Sequence, residues 1–179
     1  MAESGTEPTV VVGVADLAVA REAQGRLLTY ALGSCVGVSA YDPLAKIGGL
    51  LHFMLPHPAP HADPAGLKPC TFASHGIPLL LRKLADAGAS LQRLVVCAAG
   101  GAEMLEAGAT VSIGKRNRAM LRHVLAQEGI ALTAEDTGGA HARTMALDLA
   151  RGEVWVRSRD DEGLLWTPDP RRPVAKTTP

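Results

Sequence analysis

Thr29-Tyr30-Ala31-Leu32-Gly33-Ser34-Cys35-Val36-Gly37-Val38-Ser39-Ala40-Tyr41-Asp42-Pro43-Leu44-Ala45-Lys46-Ile47-Gly48-Gly49-Leu50-Leu51-His52-Phe53-Met54-Leu55-Pro56 is the stretch that decides the fold. Two apolar runs, Cys35–Tyr41 and Ile47–Met54, flank Asp42–Ala45, and Asp-Pro at the head of that loop suits a turn. The whole reads as a β-hairpin. If Tyr41 and Lys46 close the loop, Cys35 faces His52 across the ladder. Directly opposed residues have Cβ atoms about 5 Å apart, within reach of a thiol–imidazole contact. A slip of one residue would send the two side chains to opposite faces.

That pairing has chemical content. A free thiol has a pKa near about 8.5, so little of it is nucleophilic thiolate at neutral pH. A neighbouring imidazole takes the proton and later returns it to a leaving group. Gly33-Ser34 ahead of Cys35 permits a tight bend and aims backbone N–H groups at an oxyanion. Thr29 supplies a hydroxyl or carbonyl to fix the imidazole tautomer. The bland reading stands beside this one: a cysteine in an apolar strand is more often a small buried hydrophobe. Cys97, inside an apolar run, fits that description.

Working outward, Thr9–Val14 and Arg26–Leu32 read as further strands. Pro56–Pro69 holds too many prolines for a helix or central strand and reads as loop. Pro78 suits the first turn of a helix running to Ala87, with Leu80, Leu81 and Leu84 as its apolar stripe and Gly88 as its stop. Leu91–Ala99 reads as a buried strand. Asn117–Gln127 is an amphipathic helix carrying Met120, Leu121, Val124 and Leu125 on one face. Ile130–Ala134, Thr144–Leu149 and Val154–Arg157 complete the strands. Many strands with two helices predict an α/β or α+β layered sandwich of sheet and helices. Residues 1–8 and the Pro-rich 167–179 read as disordered tails around one domain at 9–166.

Bulk properties narrow the function classes. The 179 residues hold 18 Lys+Arg against 18 Asp+Glu and only 3% aromatics. No net field recruits nucleic acid or an anionic membrane, and little is available to stack on bases. No apolar run is long enough to span or insert in a bilayer, and no signal peptide is visible. An odd cysteine count, three, fits free thiols in a reducing compartment, so a cytoplasmic protein is expected. His52, His57, His61, Cys70 and His75 match no standard zinc spacing. Gly108 to Gly114-Lys115 misses the phosphate-loop spacing by one residue. Neither metal nor cofactor is expected.

The segment from Leu32-Gly-Ser-Cys-Val to His52-Phe-Met-Leu-Pro56 resembles the signature of the chemoreceptor glutamine deamidase family, CheD. The likeness continues through Ile77-Pro78, Gly100-Gly101-Ala102, Ile113-Gly114 with Arg116-Asn117, Asp136 with Gly138-Gly139 and Arg143, and Gly152-Glu-Val-Trp-Val156. It implies a fold related to the deamidating domain of cytotoxic necrotizing factor toxins, with a Cys/His/Thr triad on Cys35, His52 and Thr29. It also implies, as partners, the cytoplasmic helical domain of chemoreceptors and a CheC-type response-regulator phosphatase. Cys97 and Ala99 stand where the family usually has Lys and an aromatic residue, and Ala142 where it has Gly. A rival reading keeps the fold but makes the chain a docking module for receptor or phosphatase, without turnover.

Overall fold

The computed structural model describes residues 8–103, 112–159, 161–172 and 174. Residues 1–7, 173 and 175–179 of the expected tails, and Gly108, lie outside the described residues. Ten strands and two helices follow in chain order: β1 Thr9–Val11, β2 Asp16–Arg21, β3 Arg26–Leu32, β4 Val36–Asp42, β5 Ile47–Phe53, α1 Ala73–Asp86, β6 Val95–Gly100, α2 Ile113–Gln127, β7 Ala134–Thr137, β8 Arg143–Asp148, β9 Glu153–Arg157 and β10 Glu162–Trp166. The strands form two five-stranded sheets, ordered β1-β3-β8-β9-β10 and β2-β5-β4-β6-β7. The result is the α+β layered architecture that the strand and helix content predicts.

Why the hairpin is apolar at nearly every position is plain from its place between layers. Val36, Val38, Ala40, Ile47, Leu51 and Phe53 pack with Ile77, Leu80, Leu84 and Leu121 of the helices. The alternate residues Tyr41 and Leu50 pack with Leu27, Leu32, Met145 and Leu147 of the first sheet. All positions of β4 and β5 are therefore buried, the pattern of strands covered on both faces. Each fully buried Leu contributes roughly 2 kcal/mol relative to exposure.

The hairpin register differs from the one the turn sequence suggests. Asp42 pairs with Ile47, and Gly37, not Cys35, faces His52. The loop is Pro43–Lys46 because Lys46 takes the left-handed conformation (φ 54°) and its N–H returns to the Asp42 carbonyl at 2.9 Å. Each end of the loop thus moves one residue along, a total slip of two. An even slip preserves the face. Cys35 and His52 stay on the same side, as diagonal rather than direct neighbours.

Other boundaries also differ. α1 begins at Ala73, so Pro78 lies inside it. The extra turn is held from outside, since the Ala73 and Ser74 N–H groups donate to the Leu55 and Pro56 carbonyls at 2.9 and 3.1 Å. Of Leu91–Ala99, Leu91–Arg93 is a single 3-10 turn and the strand starts at Val95. The strand expected at Ile130–Ala134 is β7, Ala134–Thr137, paired in parallel with β6. β2 and β10 were not anticipated. β2 pairs with β5 from Ile47 to His52 and forms that edge of its sheet.

Asp42 locks the hairpin turn to the α1–β6 connection. Its buried carboxylate accepts from the Leu44 and Ala45 N–H groups at 3.0 and 3.2 Å, from Ser90 N–H at 2.8 Å, and from Arg93 Nε and Nη2 at 3.1 and 2.6 Å. Burial alone would raise its pKa; the Arg93 guanidinium and the three N–H donors instead hold it well below the usual carboxylate range. Asp42→Ala should destabilise the fold by about 2 kcal/mol at neutral pH, from backbone donors left without an acceptor, as read by urea titration. The folded carboxyl titrates below the unfolded one. Its stabilisation is full above the ordinary carboxylate range and fades as pH falls through the folded value, so the two proteins should converge in acid.

Candidate active site

Between β3 and β4 the chain leaves one sheet and enters the other. β3 carries one extra residue against β8 between Thr29 and Leu32, a β-bulge, with Ala31 in the left-handed region at φ 58°. The bulge inverts the side-chain alternation, so that Thr29 and Leu32 both turn inward. Gly33–Cys35 then crosses to the second sheet. The strained residue of the crossing is Ala31; Gly33 has open space around it and needs no left-handed conformation.

Three carbonyls in a row are gripped along this crossing. Gly33 O accepts from Ala102 N–H at 2.8 Å, Ser34 O from Asn117 Nδ2 at 2.9 Å, and Cys35 O from Gly101 N–H at 2.7 Å. In a trans peptide the carbonyl and the following N–H point in opposite directions. The Ser34 and Cys35 N–H groups therefore face away from these three donors. Gly100, at φ +104°, permits the grip: a Cβ there would lie 2.3 Å from Cys35 O.

Thr29 and His52 meet from opposite sheets. Both are fully buried, and Thr29 Oγ1 lies 2.8 Å from His52 Nδ1 and 2.8 Å from Val12 O. The Val12 carbonyl can only accept, so the single hydroxyl proton of Thr29 goes to it. Thr29 is left to accept, and Nδ1 must carry the imidazole proton. The ring is thereby fixed with its lone pair on Nε2, a buried atom with no hydrogen-bond partner among the described residues. Burial lowers the pKa of His52, so the neutral ring persists to lower pH than an ordinary histidine.

Cys35 is half-buried and packs on the inter-sheet core, the layer into which His52 also faces. Burial raises its pKa, while its own backbone N–H, bonded to the sulfur, pulls it back down. The thiol–imidazole hydrogen bond that the hairpin pairing predicts is not among those of the described residues, and burial favours the neutral form of each group separately. Cys35, His52 and Thr29 thus share one end of the inter-sheet layer, with Gly33 and Ser34 forming the crossing itself.

The remaining sequence candidates lie elsewhere. Cys97 is fully buried and its thiol is pushed up to about 12 by burial, which makes it core. Ala99 is also fully buried, whereas Ala142 and His141 are exposed. His57, His61 and His75 are exposed and Cys70 half-buried. Among the described residues, no group of three or more His, Cys, Asp or Glu side chains converges as a metal site, and no helix is long and apolar enough to cross a membrane. Sequence reasoning missed the Val12 carbonyl, the Gly101 and Ala102 donors, and Asn117. Gly101, Ala102 and Asn117 stand in the motifs of the family likeness without a role read from them, and Asn117 left a further signal as a polar residue on the helical stripe continued by Leu121, Val124 and Leu125.

The chain is similar to proteins of one kind. Residues 54–158 match the family model described as CheD chemotactic sensory transduction, a span that begins after His52. A protein of Solibacter usitatus named "Probable chemoreceptor glutamine deamidase CheD" is 45% identical over 150 residues, covering 83% of this chain and 88% of its own. The "Probable chemoreceptor glutamine deamidase CheD 2" of Anaeromyxobacter dehalogenans is 42% identical over 84% of this chain and 95% of its own. A namesake of the first in Desulforamulus reducens is 43% identical over 83% and 90%. With a family model over more than half its length and relatives at this identity, the chain belongs to the CheD family.

Proposed function

We propose that this chain is a protein-glutamine deamidase of chemotaxis signalling, converting glutamine side chains of chemoreceptors to glutamate. Cys35 is the nucleophile, His52 the general base and acid, and Thr29 the residue that orients the ring. The observation that carries this reading is the Val12–Thr29–His52 chain of hydrogen bonds, because it leaves the Nε2 lone pair as the basic atom of a buried imidazole. The printed names of the relatives support the substrate class. The receptor's helical domain is cytoplasmic, and so is the enzyme. A CheC-type phosphatase is its second partner.

The steps follow from these groups. As the Cys35 sulfur attacks the carboxamide carbon, its proton passes to His52 Nε2, and the Ser34 and Cys35 N–H groups hold the developing oxyanion. The tetrahedral intermediate collapses with cleavage of the C–N bond, the Nε2 proton leaving on ammonia. Water then gives a proton to Nε2 and attacks the thioester. The C–S bond breaks, the proton returns to sulfur, and glutamate remains. Neither half-reaction calls for a cofactor.

Incubating the protein with a purified receptor cytoplasmic fragment should release ammonia and convert glutamine to glutamate in peptide mass maps. Affinity without turnover would instead establish the docking module. Cys35→Ala should abolish turnover and change stability by no more than about 1 kcal/mol, since a half-buried thiol contributes little packing. Full activity in this variant would end the nucleophile assignment.

Brief iodoacetamide treatment should label Cys35 well before Cys97, because the buried thiol of Cys97 titrates near 12. Peptide mapping that finds Cys97 labelled first would remove Cys35 from the reaction.

Thr29→Val keeps the shape of the side chain and removes the acceptor of Nδ1–H. The loss in kcat should be about a hundredfold, within the range of general-base contributions. In the unsubstituted enzyme the acid limb of kcat/KM should fall below the ordinary histidine range, because His52 acts as the neutral base and its pKa is lowered. A limb at or above that range would assign the base to another group.

A further inference from the structure

Asn117 is fully buried and sits on the face of α2 that carries Leu121, Val124 and Leu125. Burying a carboxamide on an apolar stripe is costly unless its groups are bonded. Its Nδ2 donates to Ser34 O at 2.9 Å and to Met54 O at 2.7 Å. Both partners are carbonyls, which only accept, so the amide orientation is settled by chemistry.

The two acceptors are not arbitrary places. Ser34 O belongs to the same peptide unit as the Cys35 N–H, so holding that carbonyl fixes where the N–H points. Met54 follows the end of β5, just beyond His52. A single side chain therefore spans the entry of the strand that follows Cys35 and the exit of the strand that carries His52. Helix α2 reaches close enough because of Gly114, where a Cβ would lie 2.2 Å from Ala102 O, and Ala102 N–H itself grips Gly33 O.

We infer that Asn117 is a positioning residue of the deamidation site, holding the Ser34–Cys35 peptide so that its N–H faces the developing oxyanion, and fixing that peptide relative to the strand that carries His52. The inference rests on the deamidase reading. Asn117 touches neither substrate nor reacting atoms; it acts through Cys35. Leu in its place has nearly the same volume and no donor. Asp has the same shape and turns acceptor against acceptor.

The test uses full-length Asn117→Leu and Asn117→Asp beside the unsubstituted protein. Three quantities are read: thermal unfolding, kcat and KM on a receptor fragment, and the pH profile of iodoacetamide labelling at Cys35, with Cys35→Ala as the blank. The expected result is cooperative unfolding in at least one variant, KM close to the original, and kcat lower by about a hundredfold, the scale of a displacement of about 1 Å. In that same variant, labelling at fixed neutral pH should slow by about tenfold, as the released Ser34–Cys35 peptide lets the sulfur leave the position in which it reacts. Folded variants with unchanged kcat and labelling profile would overturn the proposal. So would failure of both to fold, which assigns Asn117 to the fold alone. If the unsubstituted protein releases no ammonia, the deamidase reading fails by itself, and the labelling profile still decides what Asn117 does to the thiol.

Discussion

The passage of the chain from one sheet to the other between Ala31 and Val36 is the constraint on which the rest of the structure depends. A peptide crossing between layers must bond its backbone groups outside any ladder. Here three carbonyls are taken up by Ala102, Asn117 and Gly101. Those donors in turn require Gly100 in a left-handed conformation and Gly114 against the Ala102 carbonyl. The Gly138 N–H bonds Gly100 O at 2.8 Å, and Arg143, paired with Asp136, donates to the Gly138 carbonyl. The scattered glycines and polar residues of the second half of the chain thus converge on one short segment. Ala31, at φ 58°, carries the strain of the turn, of order 1 kcal/mol or more.

Much of this was legible in the sequence, in a physically uneven way. The apolar runs of β4 and β5 announced strands covered on both faces, and the placing of position 35 on the His52 side of the hairpin survived a shift of register, although no thiol–imidazole hydrogen bond forms among the described residues. It survived because the side-chain period is two and the slip was two. The slip itself arose from Lys46, whose left-handed conformation no propensity assigns to lysine. Pro78 misled for a related reason. Proline usually marks a helix start, yet carbonyls of residues 55 and 56 extend α1 backward by more than a turn. β2 and β10 are short, half-exposed edge strands whose sequences lack a strong alternation, and only their neighbours make them strands. Of the site, Cys35, His52 and Thr29 could be named from residue types and likeness. Backbone donors and acceptors such as Val12 O carry no side-chain signature and could not.

The electrostatics of the site favour neutral groups. Burial moves the thiol up and the imidazole down, and both shifts oppose charge separation at rest. A nucleophile made only during attack needs a base whose tautomer is already correct, together with donors already aimed where charge develops. Thr29 supplies the first by having just one proton to give, and giving it to Val12. In the reaction proposed, the Ser34 and Cys35 N–H groups of the gripped crossing are the second. The same burial that disfavours a resting thiolate strengthens these fixed dipoles, since they act in a lower local dielectric.

Cys97 and Ala99, both fully buried, belong to this interior and not to an exposed surface. Ala99 pairs with Gly37 on one side of β4, and Gly37 pairs with His52 on the other. One row across the second sheet therefore reads Ala99, Gly37, His52, with side chains toward the first sheet. A row of small residues beside an imidazole would leave a void if nothing else filled it. Leu32 and Met145 do, since a Cβ on Gly37 would meet Leu32 Cδ1 at 2.9 Å and Met145 Sδ at 3.3 Å. Both are fully buried, and Leu32 reaches this place only because the bulge at Ala31 turned it inward. Ala99 thus bears on the packing behind His52 and not on the exposed surface.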